Sequence, residues 1–202
     1  MNKKCENCLK KCNSWDLICS SCLLLLKLPS SIHFYKIFPK SLKEPPPDGD
    51  FQIDTKQLHK EYLEIQKKIH PDIHAKNGDK QRMLAESLTS TLNTAYSTLV
   101  DPLSRADYLL SFYNIPILDE NKTHQDTTFF SKIMKLNEEI ENSKSQADIQ
   151  SIQRAIYEEI KKEIMEIRSG FKTMDFQIIK QATIRLKYWT NMKHTLQEKS
   201  YF

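Results

Sequence analysis

Glycine is scarce in this 202-residue chain: only Gly49, Gly78 and Gly170 are present. Phosphate-cradling loops and dinucleotide fingerprints need several glycines close together, and these three stand far apart. Sandwiches, barrels and propellers use glycine freely in their turns, so an all-β fold is disfavoured. Long apolar runs are also missing. The longest near the amino terminus, Leu23–Leu26, is cut by Lys27. That is too short for a bilayer span or a secretory h-region, so no membrane partner is expected. Charge of one sign is modest: 30 Lys+Arg against 26 Asp+Glu leave +4. Such a balance does not by itself imply nucleic acid. The expectation that remains is a mostly helical protein, with 39% hydrophobic residues to build a core.

Composition divides the chain. Residues 1–28 hold all five cysteines, and residues 1–43 carry eight lysines against Glu6 and Asp16. The run Glu44-Pro45-Pro46-Pro47-Asp48-Gly49-Asp50 is incompatible with helix or central strand and reads as an exposed loop. A second boundary falls at Ile115-Pro116 through Gln125. Beyond it, residues 126–199 lack proline altogether. Asp54 or Thr55 is the expected N-cap of a helix ending before Pro71, with Leu58, Tyr62, Ile65 and Ile69 on one face. The next helix runs to Val100 with Leu84, Leu88, Leu92, Ala95 and Leu99 on its face, and the pair reads as an antiparallel hairpin. Helical spacing resumes over Leu103–Tyr113. Three further stripes follow: Phe129–Ile140, Ile149–Ile167 and Phe176–Leu196, which a three-helix bundle would bury. Gly170, between the last two, is placed as a helix C-cap.

Two features carry chemistry. The first is Cys5-x-x-Cys8 followed by Cys19-x-x-Cys22. Two such knuckles suit one tetrahedral metal, and Cys5, Cys8, Cys19 and Cys22 are read as ligands of a structural Zn²⁺. So short a segment has little core, and zinc supplies about 10–16 kcal/mol in comparable peptides. Cys12 is left as a free thiol or as a substitute for Cys8. A disulfide staple would need an oxidising compartment, and a thioredoxin-type motif would need a βαβ setting.

The second is His70-Pro71-Asp72, between the two hairpin helices. A tripeptide alone is weak, and a loop histidine is usually just solvated. Here it follows a helix bearing Lys56, Lys60, Lys67, Lys68 and His59, and it precedes Asn93-x-Ala95-Tyr96-x-x-Leu99 and Asp101-Pro102-Leu103-Ser104-Arg105-Ala106. With His33-Phe34-Tyr35-Lys36-Ile37-Phe38, the segment Asp126–Met134 and Leu186-Lys187-Tyr188-Trp189, the chain resembles the HscB family of J-type co-chaperones of iron–sulfur cluster biogenesis. The likeness covers residues 34–198, and the cysteine knuckles resemble those of animal-type members. The Pro45–Gly49 insertion departs from the pattern.

The resemblance implies an all-α fold: a J domain over 29–113 and a three-helix bundle over 126–199, preceded by a cysteine knuckle over 1–28. It implies that His70, Pro71 and Asp72 stimulate ATP hydrolysis by a 70-kDa heat-shock class chaperone. Lys56, Lys60, Lys67 and Lys68 would face an acidic surface of that partner, where charge sets encounter rate and register; a solvated helix face is the alternative. By motif position, Phe130, Met134 and Tyr188 would bind an IscU-type iron–sulfur scaffold, against a reading of Phe130 and Met134 as core. The chain is then an adaptor and no enzyme. A mitochondrial address follows from the likeness, although a cysteine pair beginning at residue 5 leaves no room for a cleavable presequence, so the cytoplasm is the alternative. No nucleic acid is expected, and a homodimer is left open. The competing reading is a zinc-ribbon nucleic-acid-binding helical protein, resting on the basic N-terminal segment alone. An enzyme using His70 and Asp72, or Cys12, lacks convergent titratable partners.

Overall fold

A computed structural model describes residues 2–116, 127–143 and 145–199. Asp126 and most of the Ile115–Gln125 boundary lie outside the described residues. The fold is helical, as expected, and divides into two compact units, Met1–Asp101 and Pro102–Phe202.

The first unit opens with two short antiparallel strands, β1 (Asn2–Lys4) and β2 (Lys11–Asn13), in the register Lys3 opposite Cys12. An isolated bridge joins Ile18 to Leu25. Phe34–Ile37 forms a single 3₁₀ turn whose N-cap, His33, accepts from the Tyr35 amide at 3.3 Å. The proline-rich segment is not wholly exposed: Pro46 is buried. Gly49 closes it because a Cβ there would stand 1.7 Å from the Glu44 carbonyl oxygen.

Helix α1 (Thr55–Ile69) begins where Asp54 Oδ1 accepts the Lys56 and Gln57 amides at 2.9 and 3.1 Å. This satisfies donors that a helix start otherwise leaves open. It ends at Pro71, which opens the four-residue helix α2 (Pro71–His74). A 3₁₀ turn, Ala75–Asn77, then leads to α3 (Asp79–Val100). The hairpin of α1 and α3 closes over Leu58, Ile69, Ala85, Leu88, Leu92, Ala95 and Leu99, all buried. Tyr62, Ile65 and Leu84 stay half-buried. In their stead Glu61 is buried, accepting the Lys40 and Ser41 amides at 3.0 and 2.7 Å.

The second unit contains α4 (Pro102–Phe112), α5 (Thr127–Asn142), α6 (Gln146–Thr173) and α7 (Phe176–Lys199). The two long helices form an antiparallel pair, with α5 packed on both and α4 against α7. Phe129, Ile133, Ile140, Ile152, Ile156, Trp189, Met192 and Leu196 form one core cluster. A capping box starts α6: Ser145 Oγ accepts the Asp148 amide, and Asp148 accepts the Ser145 amide, both at 3.1 Å. Gly170 does not cap a helix; it lies inside α6, three residues before its end. Its role is close packing, since a Cβ would come 2.7 Å from Cγ1 of Ile179 on α7. The left-handed cap is Met174, at φ 54° and ψ 32°.

Candidate functional site

The cysteine module is built as a pair of matched turns. Cys5 accepts the Leu9 amide at 3.0 Å and donates to the Lys10 carbonyl at 2.9 Å; Cys19 repeats this with Leu23 and Leu24 at 2.9 and 2.8 Å. Leu9 and Leu23 both take positive φ, 58° and 60°, and both project into solvent. The turns bring the sulfurs of Cys5 and Cys22 to 3.4 Å and those of Cys8 and Cys19 to 3.5 Å. All four Sγ atoms lie within 4.8 Å of one another. A tetrahedral ion with metal–sulfur bonds of about 2.3 Å separates its ligands by about 3.8 Å, so the four thiols fit one ion.

Backbone amides prepare the second pair of thiols, Cys19 and Cys22, for ligation. Hydrogen bonds from the Cys22 and Ser21 amides bring Cys19 down to about 6, and the Leu24 amide lowers Cys22. Donors aimed at sulfur favour the thiolate, the form that binds metal. Cys12 stands outside the set of four. It is buried with Cys5, Cys19 and Leu26, and its thiol donates to the Lys10 carbonyl at 3.6 Å. Burial pushes its pKa up, away from the thiolate.

Polar contacts hold the module together and tie it to the rest of its unit. Lys3 Nζ donates to the carbonyls of Ser14, Asp16 and Lys27 at 3.1, 2.8 and 2.9 Å. The Leu25 amide donates to Gln81 Oε1 at 3.3 Å, and Glu6 pairs with Lys80, both on the first turn of α3. Lys36 Nζ stands 5.6 Å from the Trp15 ring centroid. The module therefore sits at the α3 start, the end of the hairpin that carries the His70 turn. Sequence reasoning missed these ties. The repeated Cys-x-x-Cys-Leu pattern was the visible sign of the paired turns.

At that turn, His70 is the C-cap of α1. Its Nδ1 accepts the Asp72 amide at 3.3 Å and lies 3.6 Å from Asp72 Oδ2. The Asp72 side chain is 90% exposed and that of His70 49%. Beneath them, buried His74 holds the turn: its Nε2 donates to the Lys68 carbonyl at 2.9 Å and its Nδ1 faces Asn77 Nδ2 at 3.4 Å. Pro71 supplies the fixed φ that starts α2. Lys56, Lys60, Lys67 and Lys68 all lie exposed on α1. Lys40, at 2.7 Å, holds the Glu64 carboxyl below its usual value, with Lys60 and Lys68 adding to the effect. Beside these lysines, His59 Nδ1 meets Tyr96 Oη at 2.9 Å, and the Tyr62 hydroxyl donates to Asn93 Oδ1 at 3.0 Å. The Tyr62 and Tyr96 rings stack at 4.2 Å, forming a polar aromatic strip between α1 and α3.

In the second unit, α5 splits its aromatic stripe. Phe129 and Ile133 turn into the core, Phe130 is half-buried, and Met134 is 65% exposed. The Phe130 ring meets Tyr188 of α7 edge-on at 5.6 Å, while Trp189 is wholly buried. Phe130, Met134 and Tyr188 thus include exposed apolar surface, which single core residues would not.

Comparison with known proteins bears on these sites. Residues 125–197 match the family described as "HSCB C-terminal oligomerisation domain". The human iron–sulfur cluster co-chaperone protein HscB is 28% identical over 74% of this chain, a match spanning 63% of that protein's length. The mitochondrial J-type co-chaperone jac1 of Schizosaccharomyces pombe is 32% identical over 82% of this chain and 73% of its own. The crystal structure of human HscB superposes with a TM-score of 0.81 at 24% identity, covering 98% of both chains, which establishes a shared fold. The extent and identity of the fission-yeast match place this chain in the HscB/Jac1 family of J-type co-chaperones.

Proposed function

We propose that this chain binds an IscU-type iron–sulfur scaffold, delivers it to a 70-kDa heat-shock class chaperone and stimulates that chaperone's ATP hydrolysis, promoting cluster transfer. The observation that carries the reading is the exposed His70-Pro71-Asp72 turn at one end of a helix lined with Lys56, Lys60, Lys67 and Lys68. His70 and Asp72 present polar groups on a backbone held by Pro71 and His74. The lysines supply attraction for an acidic partner surface, raising the encounter rate and fixing register. Phe130, Met134 and Tyr188 form the scaffold-binding patch, where burial of exposed apolar surface drives association. Residues 1–28, 29–113 and 126–199 then divide the work into a metal knuckle, a chaperone-stimulating J domain and a scaffold-binding bundle. The chain is an adaptor and performs no chemistry of its own.

The metal of the knuckle is Zn²⁺, held by Cys5, Cys8, Cys19 and Cys22. Four thiolates in a closed tetrahedron suit this ion and leave no open position for substrate, so its role is structural. The compartment is the mitochondrion, supported by fungal relatives whose names place them there.

The test is single-turnover ATP hydrolysis by a mitochondrial 70-kDa chaperone, with this protein and an IscU-type scaffold added separately and together. Stimulation by the pair beyond either alone is expected, and it disappears with His70→Gln while helical circular dichroism is unchanged. Phe130→Ala with Tyr188→Ala weakens scaffold binding roughly tenfold or more and spares the stimulation seen without scaffold. Normal stimulation by His70→Gln overturns the assignment of the turn, and unchanged scaffold affinity overturns the patch.

A further inference from the structure

The face of the bundle formed by α6 and α7 alone carries a groove of about 380 Å³. Its lining includes no residue of α5, and of α7 only Lys193, Leu196 and Gln197, so it shares nothing with Phe130, Met134 or Tyr188. Ile149, Ile156, Ile160 and Leu196 contribute its apolar surface. These belong to or pack against the bundle core, so the groove opens directly onto it. Tyr157, 56% exposed, stands on the rim. The α6 residues lining the groove run from Gln146 to Ile160, about 20 Å of helix at 1.5 Å per residue. Two antiparallel helices already seat α5 elsewhere, and the groove offers them a second seat of the same kind.

The rim selects the occupant by charge. Its polar positions are Arg154, Lys193 and glutamines, with no carboxylate among the described residues lining it. Arg154 and Lys193 are exposed and make no ion pair among the described residues. Glu158, next to Tyr157 in the chain, is bonded to Lys161 at 3.0 Å, and Lys161 Nζ lies 4.5 Å from the Tyr157 ring centroid. We infer that this groove docks an acidic amphipathic helix of a partner protein, its apolar stripe on the isoleucines and its carboxylates against Arg154 and Lys193. Helix-in-groove recognition of this kind reads apolar anchors at i, i+3, i+4 and i+7, and the rim charge chooses among such helices. A second copy seated symmetrically would bring Arg154 and Lys193 against like charges, so the rim disfavours it.

The experiment uses the full chain and a fluorescent helical peptide of about 14 residues, long enough to follow the groove. The peptide carries leucine at i, i+3, i+4 and i+7 with glutamate between, and a twin carries lysine for glutamate. Anisotropy is expected to show the acidic peptide binding roughly tenfold tighter than its twin, with affinity falling as salt rises. Arg154→Glu with Lys193→Glu, both at exposed positions, should reverse the preference. Tyr157→Ala should weaken both peptides. Equal affinities, or a preference that survives the charge reversal, overturn the inference. So does sedimentation showing a dimer that Tyr157→Ala dissociates, since a second copy would then occupy the groove.

Discussion

Arg185→Met should destabilise the second unit by about 3 kcal/mol at neutral pH, most of it from a single carboxylate. In the wild-type protein the Arg185 Nε–H lies 3.0 Å from each oxygen of Glu163, and its Nη2 donates to Glu166 at 2.5 Å. The two acids differ in what they lose. The Glu166 side chain is 40% exposed and regains water, whereas that of Glu163 is 3% exposed and does not. Removing one partner of a buried pair costs about 3–5 kcal/mol because the other charge is left without compensation. Protonation limits this: holding a proton at pH 7 on a group whose ordinary value is 4.5 costs about 3 kcal/mol.

The pH dependence follows. Burial raises the Glu163 carboxyl above its ordinary value even with Arg185 acting to lower it. The folded protein then holds that proton more readily than the unfolded chain, so stability falls as pH rises between the two values. Without Arg185 the folded value climbs further. The deficit of the variant is therefore largest at pH 7 and shrinks toward about pH 5. Urea unfolding in a Trp15→Phe background, with Trp189 as reporter, should show the midpoint lowered by about 1–3 M at pH 7. Glu163→Leu added to Arg185→Met should restore most of the loss. A deficit under about 1 kcal/mol, or one that does not change with pH, refutes the argument.

Chelation with a strong thiol-competing ligand should release one equivalent of metal per chain and unfold residues 1–28, leaving the helical circular dichroism nearly unchanged; parallel loss of helix would show that the contacts of Gln81 and Lys80 couple the module to the hairpin. Met174→Gly should raise the urea midpoint of the second unit, because the left-handed conformation costs a non-glycine residue about 1–2 kcal/mol; a lowered midpoint would mean that side-chain packing outweighs the backbone. Asp54→Ala should cost about 1 kcal/mol by stripping two amides of their acceptor, measured as a lower thermal midpoint of the first unit.

The helix starts and stops were legible because they rest on local chemistry. Asp54 caps α1, Pro71 ends it and Pro102 opens α4, each through its own backbone bonds. The four clustered cysteines were legible for the same reason, since each pair is set by one turn. Gly170 was misread because a glycine needed for helix contact and one needed for a left-handed cap look alike in a sequence; the difference lies in Ile179, nine residues on. Glu61 and Glu163 were invisible because a carboxylate on an amphipathic helix reads as its wet face. Their burial depends on the Lys40 and Ser41 amides in one case and Arg185 in the other, all roughly twenty residues away. The basic-rimmed groove escaped notice because its isoleucines satisfy a core stripe equally well, and only the position of α5 leaves them uncovered on one side.

Lys3 gives the cysteine module an order of events during synthesis. Its ammonium binds carbonyls as late as Lys27, and the second pair of sulfurs comes from Cys19 and Cys22. At about 5–20 residues per second, Cys5 and Cys8 spend on the order of one to a few seconds as bare thiols before their partners emerge. The last tie, from Leu25 to Gln81, waits for the start of α3. The nascent module can thus close around Lys3 before the hairpin end that will hold it has been made, so an ion available to the four thiols while α3 is still unmade would decide whether the hairpin meets a finished module or a loose one.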